Sequence, residues 1–296
     1  MKRSSSYLAN GIKFSVILMP SLSAHLGNVS VGDGYPVVAM GVINLDPYSF
    51  YSPSYYSSLQ KAVSAAEKMI EEGVEIIDIG GASSAPGASP VSVDEEVCRV
   101  QAVIKQISQN WDIPLSIDTQ RAQVAKVALA NGATIVNDVS GLKSDSTMAA
   151  VIKETGASCI VMASKSQPGD QLKITAIVSA LQESLHIAYT AGISSSSIVV
   201  DPGLGFGKPI GCDLEIIRNL RALRTLNRPI LLGVSRKHFI GQLLGYESPK
   251  DRLYGSLGVS TVAILEGAHV LRTHDVRATK DCIQMVAALQ SPNECE

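Results

Sequence analysis

Short runs rich in valine, isoleucine and alanine alternate along the chain with longer amphipathic stretches. The short runs predict eight strands, over residues 37–45, 74–79, 113–118, 134–138, 158–163, 197–201, 229–234 and 268–274. The longer stretches have apolar residues at helical spacing and predict eight helices, over residues 57–72, 94–109, 121–130, 146–154, 172–191, 213–226, 251–266 and 277–289. The pattern therefore divides the chain into eight strand–helix units.

This alternation favours one kind of sheet. Continuous apolar strands separated by helices indicate a parallel sheet that is covered on both faces. Eight such units predict an α/β fold, a single (β/α)8 TIM barrel. A doubly wound open sheet is the alternative, but it usually has fewer strands and often a glycine-rich turn after the first one. Here the first strand runs into Asn44-Leu45-Asp46-Pro47, which is not such a turn.

Residues 1–36 precede the first strand–helix unit. They contain several turn-forming glycines and a possible hairpin through residues 28–31. We expect them to form an N-terminal extension that covers the N-terminal mouth of the barrel, with residues 37–290 as the barrel domain.

Composition excludes several classes of protein. The chain has 296 residues, of which 46% are hydrophobic and 18% charged, so it is too apolar to be disordered. Its 25 Lys and Arg against 27 Asp and Glu give a net charge of −2, which supplies no global reason to bind nucleic acid or an anionic membrane. No run approaches the ~18 apolar residues of a membrane span. The five scattered cysteines form no CxxC pair, and we expect reduced thiols in a cytoplasmic protein.

Polar residues end seven of the eight predicted strands. They include Asn44, Asp78, Asp118, Asn137, Asp201, Lys237, Arg272 and His274. A single Asp after a strand is commonly the N-cap of the next helix. Capping, however, gives no reason to place Asp, Asn, Lys and Arg on one ring, and in a barrel the C-terminal strand ends converge on the catalytic mouth.

The chemistry of this ring suggests its ligand. Carboxylates accept paired N–H donors such as those of an amino-pyrimidinone edge. Lys237 can donate to a ring carbonyl, and the planar guanidinium of Arg272 can stack on a π-face. Arg272 and His274, with Asn44 across the mouth, can hold an anion such as a diphosphate. The residues alone thus indicate a nitrogen heterocycle with a phosphate-type leaving group.

Seven segments resemble the dihydropteroate synthase family in order and spacing. They are MGVIN (40–44), DIGG (78–81), SIDT (116–119), IVNDVSG (135–141), DPGLGFGK (201–208), GVSRKHFIG (233–241) and RTHDV (272–276). The resemblance implies the (β/α)8 barrel and a transferase that joins 7,8-dihydropterin-6-ylmethyl diphosphate to an aryl amine, usually 4-aminobenzoate, and releases diphosphate. It also implies a homodimer formed through the helices that flank the last strands.

The resemblance assigns roles residue by residue. Asp118, Asn137, Asp201 and Lys237 would contact the pterin, and Arg272 would stack on its ring. Asn44, Arg272 and His274 would hold the diphosphate and its Mg²⁺, with Asn44 as the metal ligand. Ser235 would lie close to the aryl amine. The catalytic set would be Asp118, Lys237 and Arg272.

Three loops depart from the family pattern. DPYSF (46–50) stands where TPDSF is usual, so that Tyr48 replaces an Asp. GGASSAPGA (80–88) stands where GGESTRPGA is usual, so that Ala85 replaces an Arg. Met162-Ala163 replaces Met-His. Such loops resemble the archaeal branch of the family, and they lead us to expect a retained pterin donor with a different or larger acceptor, such as a 4-(ribofuranosyl)aminobenzene phosphate in methanopterin biosynthesis.

Two other functions stay open on the sequence alone. A pterin-dependent methyltransferase to a corrinoid protein shares the barrel and the Asp and Asn pterin ring. A non-catalytic pterin-binding protein is compatible with the altered loops. The histidines show no HxxxH or HxH spacing, so we expect no dedicated metal cage.

Overall fold

The computed structural model describes residues 8–9, 12–13, 21–46, 56, 58–83, 91–167, 170 and 172–291. Two short antiparallel pairs come first in the chain. Strand β1 (Leu8–Ala9) pairs with β2 (Ile12–Lys13), and β3 (Ser23–Leu26) pairs with β4 (Val29–Gly32). The second pair confirms the predicted hairpin through residues 28–31.

Eight parallel strands form the barrel. They are β5 (Val38–Asn44), β6 (Ile76–Gly80), β7 (Leu115–Asp118), β8 (Ile135–Asp138), β9 (Ser158–Met162), β10 (Ile198–Asp201), β11 (Leu231–Gly233) and β12 (Val270–Thr273). Strands β5 to β10 pair side by side in chain order, and β12 lies between β5 and β11. A bridge between Val200 and Ile230 joins β10 to β11, which closes the ring and confirms the (β/α)8 barrel.

The helices surround the strands. They are α1 (Leu59–Glu71), α2 (Val93–Asn110), α3 (Ala122–Ala130), α4 (Met148–Thr155), α5 (Ile174–Thr190), α6 (Ile210–Arg218), α7 (His238–Leu244), α8 (Leu253–Leu265) and α9 (Val276–Gln290). The helix predicted over 213–226 is wrong in its extent, because α6 ends at Arg218 and a 3-10 segment follows over Leu220–Leu226. Helix α7 was not predicted, since seven residues are too few for a helical period to stand out.

The hairpin β3–β4 plugs the N-terminal end of the barrel. Its buried residues Ala24, Leu26 and Val31 pack with apolar residues from the first halves of the strands, among them Met40 and Ile76. Most other buried apolar side chains form a second core between the strands and the helices. The apolar plug leaves the opposite, C-terminal end of the barrel to polar side chains.

Three side chains fasten the hairpin to the barrel. Arg224 donates to both carboxylate oxygens of Asp33 at 2.9 and 2.7 Å. His269 Nε2 lies 3.3 Å from Asp33, and its Nδ1 accepts from the backbone N–H of Ile230 at 3.0 Å. These contacts join the chain just after β4 to the segments that lead into β11 and β12.

Among the described residues, no helix has the length and apolar character needed to cross a membrane.

Candidate active site

The C-terminal halves of the strands turn polar side chains into the barrel. On β7, Ile117 faces the helices and belongs to the outer core, while Asp118 occupies the next position and faces inward. The register places Asp118 beside Gly80 of β6 on one side and Asn137 of β8 on the other. Because Gly80 has no side chain, Asn44 Oδ1 and Asp118 Cβ each lie 3.7 Å from where its Cβ would be. The missing side chain therefore leaves an open space between Asn44 and Asp118.

Arg272 reaches across the barrel interior from β12. Its Nε donates to Asp78 Oδ2 at 2.7 Å, and its Nη2 donates to Asp118 Oδ2 at 3.0 Å. Asn137 Nδ2 donates to the same Asp78 oxygen at 3.1 Å. Four side chains from four strands thus share one hydrogen-bonded network. Asp78 is its fully buried anchor, and its Oδ1 has no partner among the described residues.

Burial governs the charge of the acidic groups. Burial raises the pKa of the Asp118 carboxyl to about 7, although the positive charge of Arg272 acts in the opposite direction. Burial also raises the pKa of Asp201, against the backbone N–H of Gly203 and the charges of Lys237 and Arg272. These opposing charges show that Asp201 and Lys237 share the interior with the Arg272 network. An acid that titrates near neutrality in a cleft is a common sign of a functional site.

The loop after β10 shapes the space around Lys237. Asp201 Oδ1 accepts from the N–H of Gly203 at 2.7 Å, and Asp213 accepts from the N–H of Gly205 at 2.8 Å. Gly205 has a φ of +74°, and a Cβ there would lie 2.6 Å from Lys237 Cδ, so glycine is required by both conformation and space. Lys237 Nζ lies 4.7 Å from the centre of the Phe206 ring. Burial lowers the pKa of Lys237 to about 8.

Ser235 and His274 meet at the ends of β11 and β12. The backbone N–H of His274 donates to Ser235 Oγ at 3.2 Å, and its Nδ1 lies 2.9 Å from the same oxygen. Burial, together with the charges of Arg272, Lys237 and Arg236, lowers the pKa of His274 to about 3. The imidazole is therefore neutral near pH 7 and surrounded by cations, a setting suited to an incoming anion.

The donor set at Asn44 suits a hard cation that arrives with its ligand. Mg²⁺ prefers oxygen donors and is usually held by one or two protein groups together with phosphate oxygens and water. Asn44 Oδ1 is such a donor at the mouth, and the described residues contain no group of three or more His, Cys, Asp or Glu that could form a protein cage. The residues therefore fit a magnesium ion held jointly with a diphosphate.

The structure thus places the predicted site residues around one mouth. Asp118, Asn137 and Arg272 share direct hydrogen bonds, Ser235 contacts His274, and the charges of Asp201 and Lys237 act on each other. Sequence reasoning noted Asp78 at a strand end but gave it no role, and it gave none to Arg236, Asp275 or Phe206. Tyr48 and Ala85 lie outside the described residues, whereas Ala163 is fully buried.

Comparison with known proteins agrees with this geometry. The family model described as pterin binding enzyme matches residues 40–274. The chain is 38% identical over 252 residues to dihydropteroate synthase of Bacillus subtilis, covering 85% of this chain and 88% of the relative. The chain belongs to the dihydropteroate synthase family. As a family member, it is a dihydropteroate synthase-like transferase.

Relatives of this family from other bacteria show similar agreement. The synthase of Escherichia coli is 36% identical over 262 residues, covering 86% of this chain and 92% of the relative. The synthase of Clostridium difficile, solved in the presence of pteroic acid, has a TM-score of 0.81 and 39% identity over 88% of this chain and 98% of that one. The synthase of Xanthomonas albilineans, solved with 4-aminobenzoic acid, has a TM-score of 0.83 and 33% identity over 93% of this chain and 100% of that one.

Proposed function

We propose that this synthase-family protein condenses 7,8-dihydropterin-6-ylmethyl diphosphate with 4-aminobenzoate and releases diphosphate. The observation that carries the proposal is the network in which Arg272 joins Asp78 and Asp118, with Asn137 bonded to the same Asp78 oxygen. It gathers acceptors and a planar cation from separate strands at one end of the barrel, and these are the groups that recognise a flat heterocycle. The relatives with this fold include synthases solved with a pteroic acid and with 4-aminobenzoic acid.

The pterin ring enters by exchanging partners within this network. In the ligand-free protein, Asp118 accepts from Arg272. Ring N–H donors take over the Asp118 carboxylate, and Asp201 and Lys237 serve the remaining ring edge. Arg272, still held by Asp78, is then free to lie against the ring face.

Departure of the diphosphate is the step that the cations assist. The bond between the pterin methylene carbon and the diphosphate oxygen breaks, and the carboxylates of Asp118 and Asp201 stabilise the positive charge that spreads into the ring. Asn44, Arg272 and His274 receive the leaving anion. Mg²⁺, held by Asn44 and the diphosphate, would neutralise charge on the leaving oxygens. The aryl amine then forms the carbon–nitrogen bond and loses a proton to the released diphosphate or to water.

Ser235 marks the acceptor end of the site. It lies against His274, at the side of the mouth opposite the pterin acceptors on β7 and β8. Ala163, where the family usually has a histidine, is fully buried among the apolar side chains that pack between the strands and the helices, so it opens no space at the mouth. A bulkier aryl amine, such as a 4-(ribofuranosyl)aminobenzene phosphate, is therefore tested only as the alternative acceptor.

The test is a turnover assay that measures diphosphate release from the pterin diphosphate. We expect rapid release with 4-aminobenzoate and slow release with the ribofuranosyl acceptor, and a reversed preference would assign the chain to the methanopterin pathway. Rejection of both amines would sink the proposal. Tight pterin binding without release under any amine would then favour a non-catalytic binder, and methyl transfer to a corrinoid protein would favour the methyltransferase. Removal of Mg²⁺ by a chelator should slow release and leave binding of the diphosphate-free pterin unchanged.

We propose further that the protein works as a homodimer in the cytoplasm. Helices α8 and α9 expose large apolar side chains, with Tyr254 83%, Met285 61% and Leu289 80% exposed. Exposed apolar side chains gathered on neighbouring helices commonly mark an interface. The four described cysteines are free thiols, which agrees with a reducing compartment.

A further inference from the structure

The loops that follow β11 and β12 are joined by a buried ion pair. Arg236 Nε and Nη2 donate to the two carboxylate oxygens of Asp275 at 2.8 and 2.7 Å. The Arg236 side chain is only 7% exposed. A bidentate pair fixes the direction of both side chains more firmly than a single hydrogen bond does. The ion pair therefore sets the distance between two loops that both carry site residues.

The same guanidinium also reaches a third segment. Arg236 Nη1 donates to the carbonyl oxygens of Pro249 and Lys250 at 2.8 and 2.7 Å. The backbone N–H of Arg236 donates to Ser256 Oγ on α8 at 2.8 Å, and Arg252 donates to the Arg236 carbonyl at 3.2 Å. Main chain and side chain of Arg236 are thus both anchored outside the barrel, behind the mouth.

The backbone at Arg236 is strained, and this conformation orients the adjacent residues Ser235 and Lys237. Its φ is +55°, a left-handed conformation that non-glycine residues rarely adopt. Such conformations persist only where the surroundings hold them, and they cluster at functional sites. Here the turn sends Arg236 away from the mouth, while Lys237 lies over Phe206 and Ser235 meets His274. Without its anchors, Arg236 would relax and both neighbours would move.

Asp275 acts on the second loop in the same manner. It accepts from Ser235 Oγ at 3.5 Å, and it directly follows His274. Its backbone N–H donates to Thr273 Oγ1 at 3.0 Å, which fixes the start of α9. Ser235, Lys237 and His274 therefore all depend on the one ion pair, although neither of its members is among the predicted site residues.

We propose that Arg236 and Asp275 form a positioning clamp that holds the diphosphate and acceptor end of the site, formed by Ser235 and His274, in register with Lys237 at the pterin end. This inference rests on the proposed function, since it names residues that the condensation needs without touching the substrates. The clamp acts on the geometry of transfer, whereas pterin-ring binding by Asp118 and Asn137 depends on other strands.

The test compares Asp275→Asn with a matched control at the other end of the barrel. Asp33 forms the same kind of bidentate pair with Arg224, so Asp33→Asn removes an equivalent charge far from the mouth. We expect Asp275→Asn to lower kcat by about 10-fold or more and to raise the KM for the aryl amine, because small displacements of positioned groups are costly in rate. Its affinity for a diphosphate-free pterin should fall less than kcat does, since Asp118, Asn137 and Asp201 keep their places and only the contact of Lys237 with the ring is displaced. Asp33→Asn should lower Tm and leave these kinetic constants unchanged.

A second pair of variants distinguishes a loss of positioning from a simple loss of folding. Arg236→Lys keeps the charge and one hydrogen bond, whereas Arg236→Met keeps only the bulk. We expect Arg236→Lys to retain more activity than Arg236→Met at a similar Tm. Equal kcat and KM for wild type and Asp275→Asn would overturn the clamp, and so would an Asp275→Asn variant that loses pterin affinity and activity in parallel with its Tm.

Hydrogen exchange separates failure of the clamp from failure of the proposed function. In Asp275→Asn we expect faster amide exchange at Arg236 and His274, whose N–H groups are bonded to Ser256 and Ser235, and no such change in Asp33→Asn. This readout needs no turnover. A wild-type chain that rejects both aryl amines would therefore contradict the proposed condensation, while unchanged exchange in Asp275→Asn would contradict the clamp itself.

Discussion

Arg272 and Lys237 lie in the same mouth but contribute differently to the stability of the fold. Arg272 neutralises Asp78 and Asp118 through direct hydrogen bonds, so Arg272→Ala leaves two buried carboxylates without a cation. Removing one partner of a buried ion pair typically costs about 3–5 kcal/mol. Lys237 Nζ lies 4.7 Å from the centre of the Phe206 ring, and burial lowers the pKa of Lys237 to about 8, so burial of this cation is itself unfavourable. The two residues should therefore respond differently to substitution.

We expect Lys237→Ala to keep a Tm near that of the wild type and to lose about 100-fold in turnover, because its role is electrostatic. We expect Arg272→Ala to lose activity and stability together. Thermal melting and steady-state kinetics on both variants measure this. A Lys237→Ala variant with near wild-type kcat/KM would remove Lys237 from the catalytic set.

The pKa of Asp118 gives a prediction in pH. In the free protein this carboxyl titrates near pH 7, because burial raises its pKa, and ring N–H donors require the ionised form. We expect the affinity for a diphosphate-free pterin to rise with pH by up to about 10-fold per unit below pH 7 and then to level off. The dependence should be weaker in Asp118→Asn, where Asp201 is the remaining ring acceptor with a raised pKa. Calorimetric titrations between pH 5.5 and 8.5 test it, and a flat wild-type profile would contradict the assignment.

The raised pKa of Asp118 also makes the stability of the folded protein depend on pH. The unfolded carboxyl ionises near pH 4, while the folded one keeps its proton up to about pH 7. The contribution of Asp118 to the free energy of unfolding is therefore fully present below pH 4 and is lost as pH rises through 7.

Several residues of the candidate site could be predicted from the sequence, because strand ends in a parallel barrel meet at one mouth. Which of these side chains hydrogen-bond to each other could not be predicted. Asp138 follows Asn137 directly, yet its carboxylate accepts from the backbone N–H groups of Ser140 and Leu142 and shapes a loop. Asp78, in contrast, accepts hydrogen bonds from Arg272 and Asn137 and so anchors the site. Position along a strand decides between these roles, and a one-residue step changes the face of the sheet.

At the scale of elements, the attachment of the N-terminal hairpin is the feature whose contribution to stability is easiest to measure. Its Asp33 accepts two hydrogen bonds from Arg224, which hold the pKa of that carboxyl well below its usual range. We expect Asp33→Asn to lower the free energy of unfolding by about 1–2 kcal/mol at pH 7. The stabilisation is present above the unfolded pKa near 4 and is lost as pH falls through the lower folded value.

Urea denaturation of wild type and Asp33→Asn at pH 7 and pH 3 measures this difference. The gap between the two proteins should shrink at pH 3. A gap that stays constant with pH would show that the ion pair carries no pH-dependent stability.

The order and type of the elements were largely predictable, because apolar runs and helical periodicity are strong over most of the chain. The exceptions are α7, which has too few residues to show a period, and the end of α6, after which a tighter 3-10 segment begins at Leu220. The assignment of residues 1–36 as an extension and 37–290 as the barrel domain stays a prediction.

At the scale of the whole molecule, helix α8 divides its apolar residues between the core and the surface. Ile264 is buried in the core, whereas Val262 is 44% exposed on the outer face of α8. A stable interface needs about 800 Å² from each partner. We expect sedimentation velocity to show a dimer for the wild type and a monomer for Val262→Glu combined with Met285→Glu. Leu172→Glu, an exposed apolar position on another part of the surface, should stay dimeric, and a monomeric wild type would refute the homodimer.

The most direct measurement is a crystal structure of the protein with the pterin diphosphate bound. We predict the amino-pyrimidinone edge of the ring against Asp118, Asn137 and Asp201, with Arg272 on the ring face and the diphosphate between Asn44 and His274. A ring bound outside the barrel mouth, or one turned so that the diphosphate points at Asp201, would contradict the assignment of this site.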